Sequence, residues 1–281
     1  MNKITLDSNF NHKLEIRKKQ SHKNSYGKTL IIAGSKNMMG ACILSSKSAY
    51  KSGCGLVKIL TEDINTNCLF SSIPEAIVNT YTRFDCNNEN FLIQDILWAD
   101  SILIGPGLSM DDYRIYLLKM VLQHAKCKIV IDADGLNALS QNLDLLKNLN
   151  KDIIITPHIG EMSRLVDLNN NEVLKNKEEI ALNFSNENKL ITVLKSHETI
   201  ISNGHDVYLN TFGNAGMATA GSGDVLAGII ASLCAQGLNV LDASKKGVVI
   251  HSKAGDLAKE KYGEHSLMAS DIIEFISDVL K

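Results

Sequence analysis

The chain contains a series of short apolar runs, each followed at once by a glycine-rich or polar cluster and then by a stretch of helical character. Apolar runs without alternation are typical of parallel strands that are covered on both faces. Repetition of strand, helix and strand predicts one layered α/β domain rather than two. The runs are residues 28–33, 56–60, 73–81, 101–104, 128–131, 152–156 and 190–194. We therefore predict a three-layer α/β/α fold with a mostly parallel central sheet, forming a single domain over residues 1–281.

The pattern changes after residue 194. Two apolar runs, residues 199–202 and 207–209, flank the turn-prone pair Asn203-Gly204, and this arrangement predicts a β-hairpin late in the sheet. The C-terminal sequence is typical of helices at about 241–261 and 270–280. Residues 1–26 are polar and carry the basic run Arg17-Lys18-Lys19, so we expect a solvated lead-in segment there.

Composition excludes several classes of partner. The 29 basic and 31 acidic side chains give a formal net charge of −2 without a long block of one sign, so neither nucleic acid nor a membrane is expected as a partner. The N-terminus lacks the apolar core of a signal peptide, and polar residues interrupt the longest apolar window, residues 225–241. Scattered cysteines without a C-x-x-C pair are typical of reduced thiols and indicate a cytoplasmic protein. They are Cys42, Cys54, Cys68, Cys86, Cys127 and Cys234, and we expect none to be catalytic.

The segment 214–237 is the strongest indication of chemistry, since Gly221-Ser222-Gly223-Asp224 leads there into an apolar helical pattern. A glycine-rich loop at a helix N-terminus presents unpaired N–H groups and the positive end of the helix dipole, so it suits an anion such as phosphate. We expect Asp224, in the first helical turn, to stay ionised. Glycine-rich helix starts are nevertheless common, and Asp occurs there for capping alone. The spacing matches neither the dinucleotide-binding fingerprint nor a Walker A loop.

Polar clusters follow five of the predicted strands. Ligands of an open parallel sheet bind beyond the carboxyl ends of its strands, so these clusters indicate a small-molecule site facing the anion loop. They are residues 34–40, 105–107, 132–134 and 157–161, together with Lys195. Simpler explanations exist for single residues: Asp132 and Asp134 can each cap the following helix. Glu161 can serve only to oppose a helix dipole, and His158 can be an ordinary surface residue.

The order and spacing of these motifs resemble the ADP/ATP-dependent NAD(P)H-hydrate dehydratases of the ribokinase-like superfamily. The matching elements are the loop at 34–40 with Ala41, GPG at 105–107, DADGLNAL at 132–139, TPHIGE at 156–161, the Lys195 segment and NAGMATAGSGD at 214–224. The resemblance covers nearly the whole chain from Lys28. It implies a ribokinase-like fold and a repair enzyme that uses ADP or ATP with Mg²⁺ to dehydrate hydrated NADH or NADPH.

The resemblance also implies roles for individual residues. Asp224 would accept the proton of the substrate hydroxyl, and the N–H groups near Gly221, Ser222 and Gly223 would hold the transferring phosphoryl group. The implied hydrate contacts are Ala41, Gly107, Asn137, His158 and Asp224. The implied nucleotide contacts are Lys195, Ser196, His197, Glu198, Thr199, Asn214 and Gly223. Glu161 would hold Mg²⁺ through water, because Mg²⁺ takes few protein ligands.

Three residues depart from the family pattern. Ile159 stands where a second proline is usual, and Ser196 and Ala220 stand where glycine is common. These departures bear on loop conformation and on the fit of the nucleotide. The resemblance further implies a homotetramer, and we expect no fused epimerase domain of the kind found in some relatives, since few residues precede Lys28.

Two other functions are consistent with the residues. A ribokinase-like kinase acting on a hydroxymethylpyrimidine or a hydroxyethylthiazole would share the fold, although such kinases tend to have Asn at the position of His158. A nucleotide-binding regulator would use the pocket without turnover and would not need Asp224 as a base. Turnover of the hydrate separates the dehydratase from both.

Overall fold

The computed structural model describes residues 2–82, 89–147 and 149–281, so Cys86 lies outside the described residues. The strands are β1 (Asn2–Leu6), β2 (Lys28–Ile32), β3 (Leu56–Glu62), β4 (Ile77–Tyr81), β5 (Ser101–Ile104), β6 (Lys128–Ile131), β7 (Ile153–Ile155), β8 (Ile191–Leu194), β9 (Ile200–Ser202) and β10 (Asp206–Asn210). The helices are α1 (Met39–Lys51), α2 (Thr66–Ser72), α3 (Glu89–Trp98), α4 (Tyr113–His124), α5 (Asp134–Ser140), α6 (Ile159–Val166), α7 (Asn170–Lys175), α8 (Lys177–Asn188), α9 (Ser222–Ala235), α10 (Val240–Tyr262) and α11 (Ala269–Leu280). In these parts of the chain, no helix is both long enough and apolar enough to cross a bilayer.

All ten strands form one sheet in the order β1-β10-β9-β8-β7-β6-β5-β2-β3-β4. Its pairings are parallel except for the two that β9 makes, with β8 and with β10. The hairpin of β9 and β10 turns at Gly204, which has a φ of +84°. The Asn203 side chain accepts hydrogen bonds from the N–H groups of His205 and Asp206 in that turn. The mostly parallel sheet with a late hairpin is therefore confirmed.

Neighbouring residues of the central strands enter two different hydrophobic cores. On β2, Ile31 belongs to the core formed with α1 and α9 to α11, whereas Leu30 and Ile32 belong to the core formed with α3 to α8. Burial of one such side chain is worth about 1.5–3 kcal/mol. Because neither face of the sheet meets water, these strands are apolar at nearly every position, which confirms the predicted α/β/α layers.

The start of the predicted lead-in is largely exposed, and it also contains a strand that was not predicted. Asn2–Leu6 form an edge strand that pairs in parallel with β10, and Leu6 is buried. Phe10 and Leu14 then pack against the core on the α9 side of the sheet. Four of the five residues of β1 are exposed, so the strand has no apolar pattern from which it could be predicted.

Two other elements are shorter than predicted. The strand expected over residues 73–81 begins only at Ile77, after a turn that contains Pro74. The sequence after Gly135 predicts helical structure to about Leu149, but α5 ends at Ser140 and a short 3₁₀ turn, Leu143–Leu146, follows it. Both differences lie away from the carboxyl ends of the strands and leave the predicted clusters in place.

Helix α9 approaches α1 closely because Gly228 faces that helix. A Cβ atom placed on Gly228 would lie 2.1 Å from Ser48 Oγ and 2.3 Å from the carbonyl oxygen of Ser45. On its other side α9 packs against β2, β5 and β6. The close contact thus fixes the first turn of α9 against the middle of the sheet.

We expect Gly228→Ala to lower the free energy of unfolding by about 1–3 kcal/mol, because overpacking against the Ser45 backbone outweighs the ~1 kcal/mol gained when a helical glycine is replaced. Gly40→Ala is the matched control, since a Cβ atom on Gly40 in the first turn of α1 would meet no atom within 4 Å. The control is expected to be neutral or stabilising. Urea unfolding measures both variants, and equal stabilities would contradict the close α1–α9 contact.

Candidate active site

Loops that follow β2, β5, β6, β7 and β8 meet at the carboxyl edge of the sheet, where backbone hydrogen bonds join them. Gly34 N donates to Pro106 O at 2.8 Å, which joins the loops after β2 and β5. Lys195 N donates to Pro157 O at 2.7 Å, which joins those after β7 and β8. The predicted polar clusters therefore form one continuous surface.

Two glycines allow this surface to close. A Cβ atom on Gly105, whose φ is +128°, would lie 1.8 Å from the carbonyl oxygen of Asp132. A Cβ atom on Gly107, whose φ is +63°, would lie 3.0 Å from the Cβ atom of Ala41. Ala41 and Gly107, two predicted hydrate contacts, are therefore direct neighbours.

The first turn of α9 presents unpaired N–H groups at this edge. Gly221 is the N-cap residue, in the left-handed conformation with a φ of +88°. Ser222 N donates to Thr219 O at 3.3 Å, whereas the N–H groups of Gly221, Gly223 and Asp224 make no hydrogen bond with any described residue. Free N–H groups at the positive end of a helix form an anion site.

The side chain of Asp224 also lacks a hydrogen-bonding partner within residues 2–82, 89–147 and 149–281. Burial raises its pKa to about 7, and the negative charge of Asp132 adds to the rise while Lys195 opposes it. The expectation that the helix dipole keeps Asp224 ionised is therefore wrong, because burial and the neighbouring carboxylate outweigh the dipole. A pKa near neutrality suits a general base.

Lys195 places a partly buried positive charge beside these N–H groups. Its Nζ donates to Asp132 Oδ1 at 2.7 Å and lies 3.8 Å from Glu161 Oε2. Burial, the largest single influence, lowers the pKa of Lys195, but the charges of Asp132 and Glu161 outweigh it and raise the pKa overall. A Cβ atom on Gly223 would lie 3.2 Å from Nζ, so a charged amine adjoins the anion site. Such a group is suited to a phosphate oxygen.

His158 is the N-cap residue of α6. Its Nδ1 accepts from the N–H groups of Gly160 and Glu161 at 2.9 and 3.2 Å, and Glu161 Oε2 accepts from His158 N at 2.8 Å. A ring nitrogen that accepts carries no proton, so the imidazole is neutral with its proton on Nε2. Burial and the charge of Lys195 lower the pKa of His158, which also favours the neutral ring.

This reciprocal capping bears on two of the simpler explanations. His158 is exposed, as the simpler explanation expects, but its ring also caps a helix and borders the cleft beside Lys195. Glu161 does serve the helix start, as the simpler explanation proposed, while its carboxylate also faces Lys195. The departure at Ile159 does not prevent α6 from forming, because the helix is capped without a proline.

Asp132 and Asp134 do not cap α5, in contrast to the simpler explanation. The N-cap residue is Ala133, with a φ of +49°, and no side chain caps the helix. Asp132 instead binds Lys195, and Asp134 Oδ2 accepts from Ser109 N at 2.9 Å. The aspartates therefore join neighbouring loops across the sheet edge.

Asn137 belongs to the same network, because Asp134 accepts its amide N–H at 3.2 Å and its Oδ1 accepts from Arg164 Nε at 2.9 Å. Its amide group is thus already hydrogen-bonded within the protein. A role in holding the loops is supported by these contacts, and the implied contact with the hydrate stays a prediction.

A cleft of about 950 Å³ opens beside Lys195 and the start of α9. Six of the seven predicted nucleotide contacts line it, namely Lys195, Ser196, His197, Thr199, Asn214 and Gly223. Glu198 does not, and its carboxylate pairs with Lys177 at 3.1 Å instead. Asn214 lines the wall, but its side chain is hydrogen-bonded to Gly216 N, Gly255 O and Asp256 Oδ1. The side chain of Asn214 therefore shapes the cleft.

Nothing in the sequence singles out His251, which also lines the cleft. It lies within α10, with Nε2 3.3 Å from Ser222 Oγ. One histidine inside a long helix has no spacing pattern that predicts a site. His251 reaches the cleft only because α10 packs against α9.

The family model described as NAD(P)H-hydrate dehydratase matches residues 29–278. The chain belongs to this family. An ADP-dependent (S)-NAD(P)H-hydrate dehydratase of Listeria monocytogenes is 32% identical over 268 residues, which are 94% of this chain and 91% of that protein. A solved structure of the ADP/ATP-dependent NAD(P)H-hydrate dehydratase from Bacillus subtilis, co-crystallised with ATP and Mg²⁺, superposes with a TM-score of 0.84 at 28% identity and covers 95% of this chain and 93% of that one. The predicted ribokinase-like fold is thereby confirmed.

Other members of the NAD(P)H-hydrate dehydratase family are longer. A bifunctional NAD(P)H-hydrate repair enzyme of Moorella thermoacetica is 35% identical over 274 residues, which are 94% of this chain but 51% of that protein. The chain thus spans about half the length of such relatives. Residues 29–278, which the family model matches, include every motif of the carboxyl edge described above.

The candidate site fits Mg²⁺ only as an ion that arrives with a nucleotide. Within the described ranges, no group of three or more His, Cys, Asp and Glu side chains is arranged to hold a metal. Mg²⁺ in nucleotide sites keeps several waters and takes one or two carboxylates together with phosphates. Asp132 and Glu161, both buried next to Lys195, provide carboxylates of this kind.

The raised pKa of Asp224 predicts a stability gain on its neutralisation. Because the pKa is raised from 3.8 to about 7, the stability contributed by the protonated carboxyl group is fully present below pH 3.8 and is lost as the pH rises to about 7. We expect Asp224→Asn, which is neutral throughout, to match the wild type near pH ~4 and to be ~1–3 kcal/mol more stable at pH ~8. Urea unfolding at both pH values measures the difference.

Asp242→Asn is the matched control. Asp242 also lies in a first helical turn, but hydrogen bonding to Lys245 lowers its pKa. Its ionised form therefore stabilises the fold, and its replacement should not stabilise the protein at the higher pH. A destabilised Asp224→Asn at that pH would contradict the buried, raised carboxyl group.

Proposed function

We propose that this chain dehydrates hydrated NADH or NADPH to NAD(P)H, with ADP or ATP as the phosphoryl donor. The observation that carries the proposal is the buried carboxyl group of Asp224, with a pKa of about 7, in the same helical turn as the free N–H groups of Gly221 and Gly223. A base and an anion cradle in one turn are what phosphorylation of a hydroxyl requires.

The reaction has two stages. In the first, the ionised Asp224 accepts the proton of the ring hydroxyl while the hydroxyl oxygen forms a bond to the terminal phosphorus and the nucleotide departs. In the second, the lone pair of the ring nitrogen expels phosphate, and the adjacent ring carbon loses a proton to form the double bond. Phosphorylation is needed because hydroxide is a poor leaving group.

The chain's own residues mainly position and neutralise charge, as expected for a loose phosphoryl-transfer transition state. Lys195 and the free N–H groups of Gly221 and Gly223 meet the oxygens of the transferring group. Glu161 and Asp132 would hold the Mg²⁺ that arrives with the nucleotide, Glu161 through water because one of its oxygens already accepts from His158 N. The apolar wall formed by Phe212, Met217 and Leu226 suits the nucleobase.

The hydrate lies on the side of Asp224 away from this wall, against Ala41 and Gly107. Ala41 and Gly107 together present only small groups to the substrate ring. His158 offers the Nε2 proton of its neutral imidazole to a polar group of the substrate. The homotetramer and the cytoplasmic location implied by the resemblance stay predictions.

We expect purified protein with ADP or ATP and Mg²⁺ to restore the absorbance of reduced nicotinamide from its hydrate. Asp224→Asn should lower kcat by ~10²-fold or more, because a positioned base contributes that much. Its nucleotide affinity, measured by calorimetry, should stay close to that of the wild type. Asp242→Asn, with the same change on the outer surface of α10, is expected to keep wild-type turnover.

The same assay separates the other two functions. Turnover of a hydroxymethylpyrimidine or hydroxyethylthiazole alcohol, with none of the hydrate, would assign the chain to the kinases. Nucleotide binding without turnover of any of these substrates, and without an effect of Asp224→Asn, would indicate a regulator.

A further inference from the structure

Ser222 and His251 form a buried polar pair that the proposed reaction leaves without a role. Ser222 is the first residue of α9, and His251 lies in the middle of α10. Ser222 Oγ is 3.3 Å from His251 Nε2. The two residues are 8% and 7% exposed, and both line the cleft. A buried imidazole therefore reaches the helical turn at which the phosphoryl group is to be held.

The imidazole of His251 is neutral. Burial lowers its pKa to about 4, a hydrogen bond to the Ser222 backbone raises it, and the positive charge of Lys195 lowers it. A neutral ring has one N–H donor and one accepting nitrogen. His251 thus adds no charge to the site, and its influence on an anion must act through the direction of a hydrogen bond.

The hydroxyl of Ser222 is the group through which such an influence can act. The backbone N–H of Ser222 donates to Thr219 O, so its hydroxyl is the remaining hydrogen-bond donor that Ser222 can direct at an anion. When His251 Nε2 carries the proton, it donates to Oγ, and the hydroxyl proton is free to point at a phosphoryl oxygen. With the proton on the other nitrogen, the hydroxyl would donate to Nε2 and turn its lone pairs to the anion. Only the first state adds an O–H donor to the anion site, so it is the state in which the pair can assist an anionic ligand.

We propose that His251 is a positioning residue for phosphoryl transfer, acting through Nε2 to aim the hydroxyl proton of Ser222 at the transferring group. The role rests on the proposed function of the chain. It adds a directed O–H donor to the free N–H groups of Gly221, Gly223 and Asp224. A donor aimed in advance at developing charge lowers the barrier without reorganisation during the reaction.

Four variants test the pair by steady-state kinetics. His251→Leu removes the donor at similar volume and is expected to lower kcat ~10- to 100-fold while the nucleotide KM changes less than ~2-fold. His251→Gln keeps an N–H donor at nearly the same reach and should recover most of kcat. Ser222→Ala should resemble His251→Leu. The double variant should be no slower than Ser222→Ala, since His251 acts through that hydroxyl.

Ser244→Ala is the matched control for removal of a buried polar group from α10. Its Oγ donates only to Val240 O within the helix, so wild-type kinetics are expected. Should His251→Leu fail to fold, the other two single variants decide the question. A kcat near wild type in His251→Gln and a lowered kcat in Ser222→Ala support the pair. Additive losses in the double variant, or an unimpaired Ser222→Ala, overturn it.

Binding of inorganic phosphate, followed by calorimetry, tests the pair without the dehydration reaction. We expect His251→Leu to weaken phosphate binding ~5- to 10-fold, as for loss of one hydrogen bond to a charged group, and His251→Gln to leave it near wild type. Equal phosphate affinity in wild type and His251→Leu overturns the inference even if the hydrate is dehydrated. If phosphate affinity depends on His251 but the protein does not dehydrate the hydrate, the pair is supported and the proposed function is rejected.

Discussion

The site depends on one partly buried lysine placed among several carboxyl groups. Lys195 pairs directly with Asp132 and lies near Glu161. The negative charges of these two carboxylates add to the rise in the pKa of Asp224 that burial causes. Buried charges are tolerated only when they are paired, so one positive charge cannot keep all of these groups ionised near neutral pH. The group left without a partner is Asp224, and it retains its proton up to a pH of about 7. Its basicity is therefore a consequence first of its burial and then of the charge balance in the site.

Magnitudes show why the helix dipole does not decide this ionisation. Placement in a first helical turn favours a carboxylate by about 0.3–1 kcal/mol at an exposed site. A rise in pKa from 3.8 to about 7 corresponds to ~4 kcal/mol in the other direction. The dipole and the free N–H groups act instead on a ligand that brings its own negative charge. Both effects require the start of α9 to stay at the carboxyl edge of the sheet. The glycine contact with α1 holds α9 there, against β2, β5 and β6.

Much of this arrangement follows from the sequence, because it depends on local patterns. Apolar runs predicted the parallel strands, and the clusters after them predicted which loops would meet, down to Lys195 beside Gly223. The edge strand β1 could not be predicted, since only Leu6 of its five residues is buried. The ionisation of Asp224 and the contact between Ser222 and His251 could not be predicted from the sequence either. Both arise from residues far apart in the chain, and no local spacing encodes how α10 packs against α9.

A carbon-13 NMR titration of the Asp224 side chain tests the central claim most directly. Selective labelling of aspartate, with Asp224→Asn used to assign the signal, gives the ionisation of this carboxyl group in the ligand-free protein. The account predicts a midpoint near pH 7 that falls when the Asp132 carboxylate is neutralised by Asp132→Asn, since that charge contributes to the rise. A midpoint near the ordinary value of 3.8 would show a solvated carboxylate and would contradict the account.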